Sequence, residues 1–266
     1  MIERAFTALG GDCELYGIGI DANELARGEA WIHRMHDQLT RFSETSELSR
    51  LNASAGAWMK VSPELAALLR ESLRAFEVSG GLVHAGTLAG LLAAGYTRDF
   101  GLGGTRTGPP PPPPAPLPDL LDVRGDEARL APGAAIDLGG IAKGWLADRL
   151  AEQMGANCVV NLCGDLYARG PGEAEGWPVG FGDKTVLLQD KGAATSGVTK
   201  RSWGPGLHHL IDPRTSRPAT TDLHEVSVIA DTAMDAEIYA KTALLLGAGA
   251  GEVWLRGRAL GWSFAQ

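Results

Sequence analysis

The sequence predicts a single α+β domain, and three observations lead to this prediction. The chain has 266 residues and a mass of 27.9 kDa, which allows one large domain or two small ones with a sizeable core. Apolar residues make up 44% and charged residues 21%, values that are ordinary for a globular protein and exclude wholesale disorder. Helix and strand patterns follow one another without the regular βαβ alternation of a doubly wound sheet.

Composition and charge exclude several function classes. The net charge of −8 and the pI of about 5.3 argue against non-specific binding to nucleic acid or to anionic membranes. No apolar run approaches the roughly 18 residues that a membrane helix needs. The first residues, MIERAFTALGGDCELYG, lack the apolar stretch of a signal peptide, so the cytoplasm is the expected compartment. Three scattered cysteines are too few for a disulfide framework or a zinc site, and we expect all three to be reduced.

Apolar periodicity and capping signals predict the elements of the first half of the chain. Ser62 followed by Pro63 is typical of a helix start, because serine caps the first turn and proline fits the first helical position. Gly80 and Gly81 end that helix. The predicted elements are a strand at 13–20, helices at 24–40, 63–79 and 87–94, and a hairpin at 121–130.

A Gly/Pro-rich segment at about 101–118 interrupts the pattern of the single domain predicted for residues 1–266. Eight of the 15 prolines fall between Pro109 and Pro118, and such a run favours polyproline II rather than helix or central strand. We expect an inserted, exposed spacer. A ligand for an SH3-like module is the alternative.

The second half returns to alternating helix and strand patterns. An amphipathic helix is expected at 141–154 and a second helix at 232–247. The predicted strands are 158–162, 178–181, 186–188, 226–230 and, as the last one, 253–256.

The stretch Ile136–Asp148, with the sequence IDLGGIAKGWLAD, is the most informative motif. An acid, Asp137, ends a strand, two glycines follow, and a helix begins with Lys143 in its first turn. Glycines allow close approach of the backbone to a ligand, and the free N–H groups of a helix start favour an anion. The motif therefore predicts either a phosphate site, with Asp137 accepting hydrogen bonds from a base or ribose, or an ordinary strand–turn–helix corner.

Two further stretches carry groups suited to chemistry. In residues 195–218, His209 and Asp212 have the types of a base and its orienting carboxylate, and Thr195 and Ser196 offer donors to a phosphate. The alternative is a polar loop with one core histidine. Residues 42–52, FSETSELSRLN, either line a pocket or form a helix start capped by Ser46.

In this order, the motifs resemble those of the FAD:protein FMN transferases, the ApbE-like family, over about residues 9–247. The resemblance implies an α+β fold with a flavin cleft between two lobes. It also implies that the enzyme binds FAD with Mg²⁺ and cuts its pyrophosphate. The FMN half passes to a Ser or Thr hydroxyl of a partner flavoprotein, and AMP leaves. The motifs that carry the resemblance are residues 42–52, 137–144, 160–165, 194–197, 209–215 and 243–247.

The resemblance also implies roles for individual residues. His209 matches the motif histidine implicated in catalysis, where it would accept the proton of the attacking hydroxyl. Glu237 is the expected side-chain ligand of Mg²⁺, and Gly140 matches the position whose backbone oxygen meets the metal. The predicted contacts to FAD are Leu9, Phe42, Asp137, Lys143, Thr195, Ser196 and Ile211.

Some positions depart from the family pattern. Relatives usually carry Asp and, four residues later, Thr as metal ligands on the late helix, where this chain has Glu237 and Lys241. Lysine is no metal ligand, and its ammonium group is a candidate to occupy the place of the metal. His84 stands where an acid is usual. Two alternative functions follow: a catalytically impaired flavin- or nucleotide-binding relative, and a FAD pyrophosphatase that releases FMN and AMP.

Overall fold

A computed structural model describes residues 1–98 and 107–266, and the chain forms two compact units. The first unit comprises residues 1–36, 141–197 and 221–266, and the second comprises residues 37–140 and 198–220. Most of the glycine-rich part of the predicted insertion, residues 101–106, lies outside the described residues.

The described residues form helices and strands throughout both units. The helices are α1 (Ala22–Leu39), α2 (Glu47–Asn52), α3 (Pro63–Val78), α4 (Leu88–Ala93), α5 (Leu117–Leu120), α6 (Ala142–Met154), α7 (Ala233–Leu246) and α8 (Ala248–Leu255). The strands are β1 (Ile2–Ala8), β2 (Gly11–Gly17), β3 (Met59–Lys60), β4 (Leu121–Arg124), β5 (Glu127–Leu130), β6 (Cys158–Leu162), β7 (Asp165–Arg169), β8 (Trp177–Phe181), β9 (Lys184–Leu188), β10 (Lys191–Gly197), β11 (Ser202–Gly204), β12 (Leu207–His208), β13 (Ile211–Asp212), β14 (Arg217–Pro218), β15 (Glu225–Ala230) and β16 (Gly261–Ala265).

An antiparallel sheet in the order β1-β2-β6-β7-β10-β15-β16 organises the first unit. Helices α6 and α7 pack on one face of this sheet. The β8–β9 hairpin contributes Trp177 and Leu188 to the core on the other face, where they pack with Val159 and Ala193. Because side chains alternate along a strand, neighbouring residues of β6, β7 and β10 lie on opposite faces.

The second unit is built from α2, α3, α4 and α5, the three-stranded sheet β3-β5-β4 and two short hairpins, β11–β12 and β13–β14. Ser62 caps α3 as predicted, since its hydroxyl accepts a hydrogen bond from Leu65 N at 3.1 Å. The predicted cap at Ser46 is also present, with Ser49 N donating to its hydroxyl at 3.0 Å. Glu47, in the first turn of α2, accepts hydrogen bonds from the backbone N–H and the hydroxyl of Ser62. The motif at residues 42–52 therefore builds the scaffold of the second unit.

The proline run is mostly exposed, as expected of a spacer, and hydrogen bonds also tether it to the second unit. Its side chains are mostly exposed, but Ser216 donates a hydrogen bond to the carbonyl oxygen of Pro112 at 3.0 Å. His84 Nδ1 accepts from Gly86 N, so Nε2 carries the proton and donates to the carbonyl oxygen of Ala115 at 3.0 Å. The less exposed positions recur every third residue, the period of polyproline II: Pro111, Pro114 and Leu117.

Most predicted elements are confirmed within a few residues, but the last strand is wrong. Residues 253–256 belong largely to α8, and the last strand is β16, which pairs with β15. Val253 is 66% exposed, and Trp254 packs edge-to-face on Tyr239 at 5.5 Å. In the part of the chain that the structure describes, no helix is both long and apolar enough to cross a membrane.

Candidate active site

The starts of α6 and α7 cap each other. The backbone N–H of Gly144, in the first turn of α6, donates to Glu237 Oε2 at 2.9 Å. In return, the Asp148 carboxylate accepts hydrogen bonds from Ala233 N at 2.8 Å and from the next backbone N–H at 3.0 Å. Each carboxylate satisfies N–H groups that a helix start leaves unpaired. These reciprocal caps fix the first turn of α6 against α7.

Lys143, Asp165, Glu237 and Lys241 form a buried lysine–carboxylate cluster in the first unit. The Lys143 ammonium contacts the Asp165 carboxylate and lies 3.1 Å from Glu237 Oε1. Lys241, one turn along α7 from Glu237, places its ammonium 3.7 Å from the same oxygen. Asp165 and Glu237 are each only 1% exposed. Buried carboxylates of this kind are stable only when they are paired and hydrogen-bonded.

The lysine–carboxylate cluster contains two cations and two anions, so its formal charge is zero. Burial by itself raises the pKa of the Glu237 carboxyl, but the nearby Lys143 and Lys241 ammonium groups and the Gly144 N–H together hold that pKa below its ordinary value. Glu237 is therefore ionised at neutral pH.

These contacts do not fit a divalent cation at Glu237. Oε1 faces two ammonium groups, and Oε2 accepts from a backbone N–H, so neither oxygen is turned toward an open position. Magnesium prefers several oxygen ligands around it. Among the residues that the structure describes, no group of three or more His, Cys, Asp or Glu side chains is arranged to hold a metal. Gly140, the other predicted ligand, is the last residue of the segment 37–140 of the second unit and lies in the turn before α6.

Two tight turns lie side by side at one end of the sheet. Leu9 (φ 56°) begins the turn between β1 and β2, and Cys163 (φ 60°) begins the turn between β6 and β7. Such left-handed backbone is uncommon outside glycine, and it tends to occur at functional sites. Leu9 N donates to His36 Nδ1 at 3.2 Å, and Cys163 N donates to the carbonyl oxygen of Asp12 at 3.0 Å. The Cys163 thiol lies 4.0 Å from that of Cys13, and the cysteines are free.

Thr195 and Ser196 point to opposite faces of the sheet, although the sequence predicts both as FAD contacts. Ala194 and Ser196 alternate onto the face covered by α7, because Ala194 packs against Ala236. Thr195 lies on the other face, and its hydroxyl is hydrogen-bonded to Ser227 at 2.8 Å. Only Ser196 shares a face with the lysine–carboxylate cluster.

In the second unit, Asp137 is held by two elements that are distant in sequence. Its carboxylate lies 2.8 Å from Arg41 Nε and accepts from Gly139 N at 3.0 Å. Asn52 at the end of α2 exchanges two hydrogen bonds with the backbone of Ile136, at 2.8 and 2.9 Å. Asn52 and Arg41 therefore fix the segment that presents Asp137. The predicted strand end at Asp137 is wrong, because this residue lies in the loop between β5 and α6, where the backbone of Ile136 pairs with the Asn52 side chain rather than with a neighbouring strand.

An aromatic group surrounds Arg41. The guanidinium lies over the rings of Phe42 at 4.2 Å and Tyr96 at 4.7 Å, and it donates to the carbonyl oxygen of Tyr96 at 2.7 Å. Tyr96 stacks on Trp203 with ring centroids 5.3 Å apart. Phe42 is 38% exposed and so presents an apolar ring at the surface of this group. Flat rings with an arginine beside them suit a planar aromatic ligand.

The two neighbouring histidines have different environments. His208 is buried, its Nδ1 accepts from Leu210 N, and its Nε2 donates to the carbonyl oxygen of Ala219 at 3.0 Å. Burial lowers the pKa of His208, so this is the core histidine that the sequence offered as an alternative. His209 is half-buried, and its backbone N–H donates to Arg201. Ile211, a predicted FAD contact, is buried under Tyr96 and Trp203.

Asp212 pairs with an arginine that follows it in the motif. Its carboxylate accepts from Nε and Nη2 of Arg214 at 2.7–3.1 Å and from the backbone N–H of the same residue at 2.9 Å. The hydrogen bond to Asp212 raises the pKa of Arg214. Asp212 therefore stabilises its own turn. The partner of its carboxylate is Arg214 and not His209, for which the sequence predicts an orienting role of Asp212.

Sequence reasoning did not single out four residues of these sites. Arg41 directly precedes the motif residue Phe42, and Asp165 is the last residue of the motif at 160–165. Their position in or next to a motif is therefore the signal by which they could have been predicted. Tyr96 and Trp203 lie outside the motifs, and only the folded chain brings them to Arg41.

The comparisons with known proteins agree with this fold and these motifs. Residues 9–261 of the sequence match the model of the ApbE family. The chain belongs to the ApbE family.

Relatives and solved structures extend this finding. A FAD:protein FMN transferase of Klebsiella pneumoniae is 34% identical over 44% of this chain, and one of Treponema pallidum is 31% identical over 77% of it. The matches span 40% and 66% of these two relatives, less than two thirds of their length. The flavinyl transferase ApbE of Pseudomonas stutzeri has a TM-score of 0.84 at 20% identity, covering 99% of this chain and 90% of its own. The ApbE protein of Thermotoga maritima has a TM-score of 0.83 at 22% identity, covering 96% and 89%.

Proposed function

We propose that this chain is a FAD:protein FMN transferase. The observation that carries the proposal is the buried Lys143 at the start of α6, held between Asp165 and Glu237. Lys143 and Asp165 come from motifs of the resemblance, and Glu237 lies on the helix that ends in the motif at 243–247. Membership of the ApbE family and relatives with this activity support it. The substrate is FAD, and the acceptor is a Ser or Thr hydroxyl of a flavoprotein.

The reaction is a phosphoryl transfer. The acceptor oxygen forms a bond to the phosphorus of the FMN half, the bond from that phosphorus to the bridging oxygen breaks, and AMP leaves with the bridging oxygen. The proton of the acceptor hydroxyl goes to His209, which is the proposed general base. Such transfers need mainly positioning and neutralisation of charge.

This chain's own residues supply both requirements. The ammonium of Lys143 and the positive end of the α6 dipole attract the pyrophosphate. Phe42, which belongs to the aromatic group around Arg41, offers a surface for a flat ring of FAD. The Asp137 carboxylate accepts hydrogen bonds from the base or ribose of FAD. The other proposed contacts to FAD are Leu9, Ser196 and Ile211. Thr195 lies on the opposite face of β10, hydrogen-bonded to Ser227, and is not among them.

Magnesium, with Gly140 and Glu237 as its ligands, stays a prediction of the resemblance. The contacts of Glu237 do not fit it, so no step of this proposal passes through a metal. The flavin cleft, the cytoplasmic location and the Ser/Thr target also stay predictions.

The test incubates the purified chain with FAD and an extract of its own organism, followed by chromatography of nucleotides and in-gel flavin fluorescence after denaturation. A transferase releases AMP in excess of FMN and leaves a fluorescent protein band. Equal amounts of FMN and AMP without a band would instead identify a FAD pyrophosphatase. FAD that stays intact would overturn the proposal.

His209→Ala tests the proposed base. We expect transfer to slow by about 10²–10⁴-fold with little change in FAD affinity. His224→Ala, a change at an exposed histidine, is the matched control and should leave transfer unchanged. Unchanged transfer in His209→Ala would remove His209 from the mechanism.

A further inference from the structure

The lysine–carboxylate cluster already contains the positive charge that a nucleotide site needs. Lys143 and Lys241 both face Glu237 Oε1, at 3.1 and 3.7 Å, and both ammonium groups are largely buried. The only carboxylates among these four residues, Asp165 and Glu237, balance them. A divalent cation added to this neutral cluster would have to displace at least one ammonium group. It would also bring two positive charges beside the remaining ammonium group, which repels them.

A dinucleotide pyrophosphate brings two negative charges to its site. Two ammonium groups carry the same total charge as one divalent cation. Lysine supplies up to three donors to phosphate oxygens from a flexible stem, so it can bind an anion without fixed coordination geometry. The same flexibility lets each ammonium group move from its carboxylate toward an arriving phosphate.

We propose that Lys143 and Lys241 take the place of a divalent cation in this chain, so that the FAD pyrophosphate is bound without Mg²⁺. The inference rests on the proposed function, because it concerns the same FAD site. It assigns to Lys241 a role in substrate binding, and to Glu237 the role of holding both lysines rather than a metal.

The first measurement compares FAD binding by the full, unmodified chain in excess EDTA and in millimolar Mg²⁺, followed by flavin fluorescence. We expect the two dissociation constants to agree within about twofold. A second measurement, Mn²⁺ titration followed by electron paramagnetic resonance, should detect no bound ion in the free protein. Neither measurement needs a variant.

Lys241→Ala gives the sharpest contrast. Without the second ammonium group, FAD should bind about tenfold more weakly in EDTA. Mg²⁺ should restore part of the loss, because the place of the Lys241 ammonium beside Glu237 Oε1 is then open to a cation. Lys184→Ala removes an exposed lysine of β9 and controls for the lower net charge. It should bind FAD as the unmodified chain does, in both buffers. A merely structural role of Lys241 would lower affinity equally with and without Mg²⁺ and would contradict the inference.

The outcomes separate this inference from the proposed function. FAD binding that requires Mg²⁺ in the unmodified chain would overturn the inference and leave the transferase proposal standing. No FAD binding in either buffer would overturn both. Equal binding in both buffers, with Mg²⁺ dependence gained by Lys241→Ala, would support the replacement of the metal by lysine.

Discussion

Gly144→Ala should strain the contact between the starts of α6 and α7. A Cβ atom at this position would lie 2.6 Å from the carbonyl oxygen of Ala233 and 2.9 Å from Met234 Cα. Both neighbours are backbone atoms, so they cannot turn away as a flexible side chain would. The nearest contact falls about 0.8 Å short of the 3.4 Å at which ordinary packing begins, and the van der Waals interaction is steeply repulsive at such an overlap.

The expected loss of stability follows from these distances. Overpacking of a tight contact costs about 1–3 kcal/mol. Moving α6 away also lengthens the hydrogen bond from Gly144 N to the charged Glu237, and a bond of this kind contributes about 1.5–3 kcal/mol. Alanine regains about 0.5–1 kcal/mol of helix propensity over glycine. The net decrease in the free energy of unfolding is therefore about 1.5–5.5 kcal/mol.

Urea denaturation monitored by circular dichroism measures this change. Gly249→Ala is the matched control, because its Cβ would meet no atom within 4 Å and it also lies in a helix. The control should raise stability by about 0.5–1 kcal/mol, so the same substitution should have opposite signs at the two sites. If Gly144→Ala unfolded at the urea concentration of the unmodified chain, the close contact between the helices would be refuted.

Two further predictions concern groups that position the site. Burial raises the pKa of the Asp148 carboxyl from 3.8 to about 6. The folded chain therefore holds this proton more tightly than the unfolded chain does, and the resulting stability is fully present below pH 3.8 and is lost as the pH rises through 6. The free energy of unfolding should fall by up to about 1.4 kcal/mol per pH unit in this window. Asp148→Asn removes this titrating group. Urea denaturation at several pH values from about 4 to 7 should show that the unmodified chain loses stability relative to the variant as the pH rises. Parallel stability profiles of the two proteins would contradict this prediction. Asn52→Ala leaves two backbone groups of the buried Ile136 unpaired, so the urea midpoint should fall by an amount equivalent to about 2–3 kcal/mol. An unchanged midpoint would mean that these two hydrogen bonds contribute nothing to holding the loop before Asp137.

Local signals predicted most of the fold. Ser62 with Pro63 places the start of α3 correctly because capping depends on a few adjacent residues. Helix α8 was misread as a strand, since its first half contains two glycines and its second half, EVWL, includes residues favoured in strands. Strand β10, with the sequence KGAATSG, was missed because its pairing with β7 and β15 depends on distant parts of the chain.

The candidate site was predicted as separate residues, not as an arrangement. Lys143 and Glu237 were both expected at functional positions, but they are 94 residues apart. No local sequence pattern predicts that the Lys143 ammonium pairs with the Glu237 carboxylate. The opposite directions of Thr195 and Ser196 follow from strand alternation and became visible only with β10 in place. Partners such as Arg41 for Asp137 depend likewise on tertiary contacts.

The two unusual residues on α7 make physical sense only together. Glu237 is long enough to reach both Gly144 N and the Lys143 ammonium, and Lys241 adds the second positive charge beside it. Loss of Glu237 alone would leave Lys143 and Lys241 with one buried carboxylate between them, and loss of Lys241 alone would leave an excess negative charge. Either imbalance in a buried cluster is costly, because an uncompensated charge there loses its hydration without gaining a partner. The Asp and Thr that the resemblance implies at these two positions would leave the four residues with one excess negative charge, which a bound cation would offset. Glu237 with Lys241 makes the same four positions neutral, so in this chain lysine supplies the positive charge that the resemblance assigns to a metal ion.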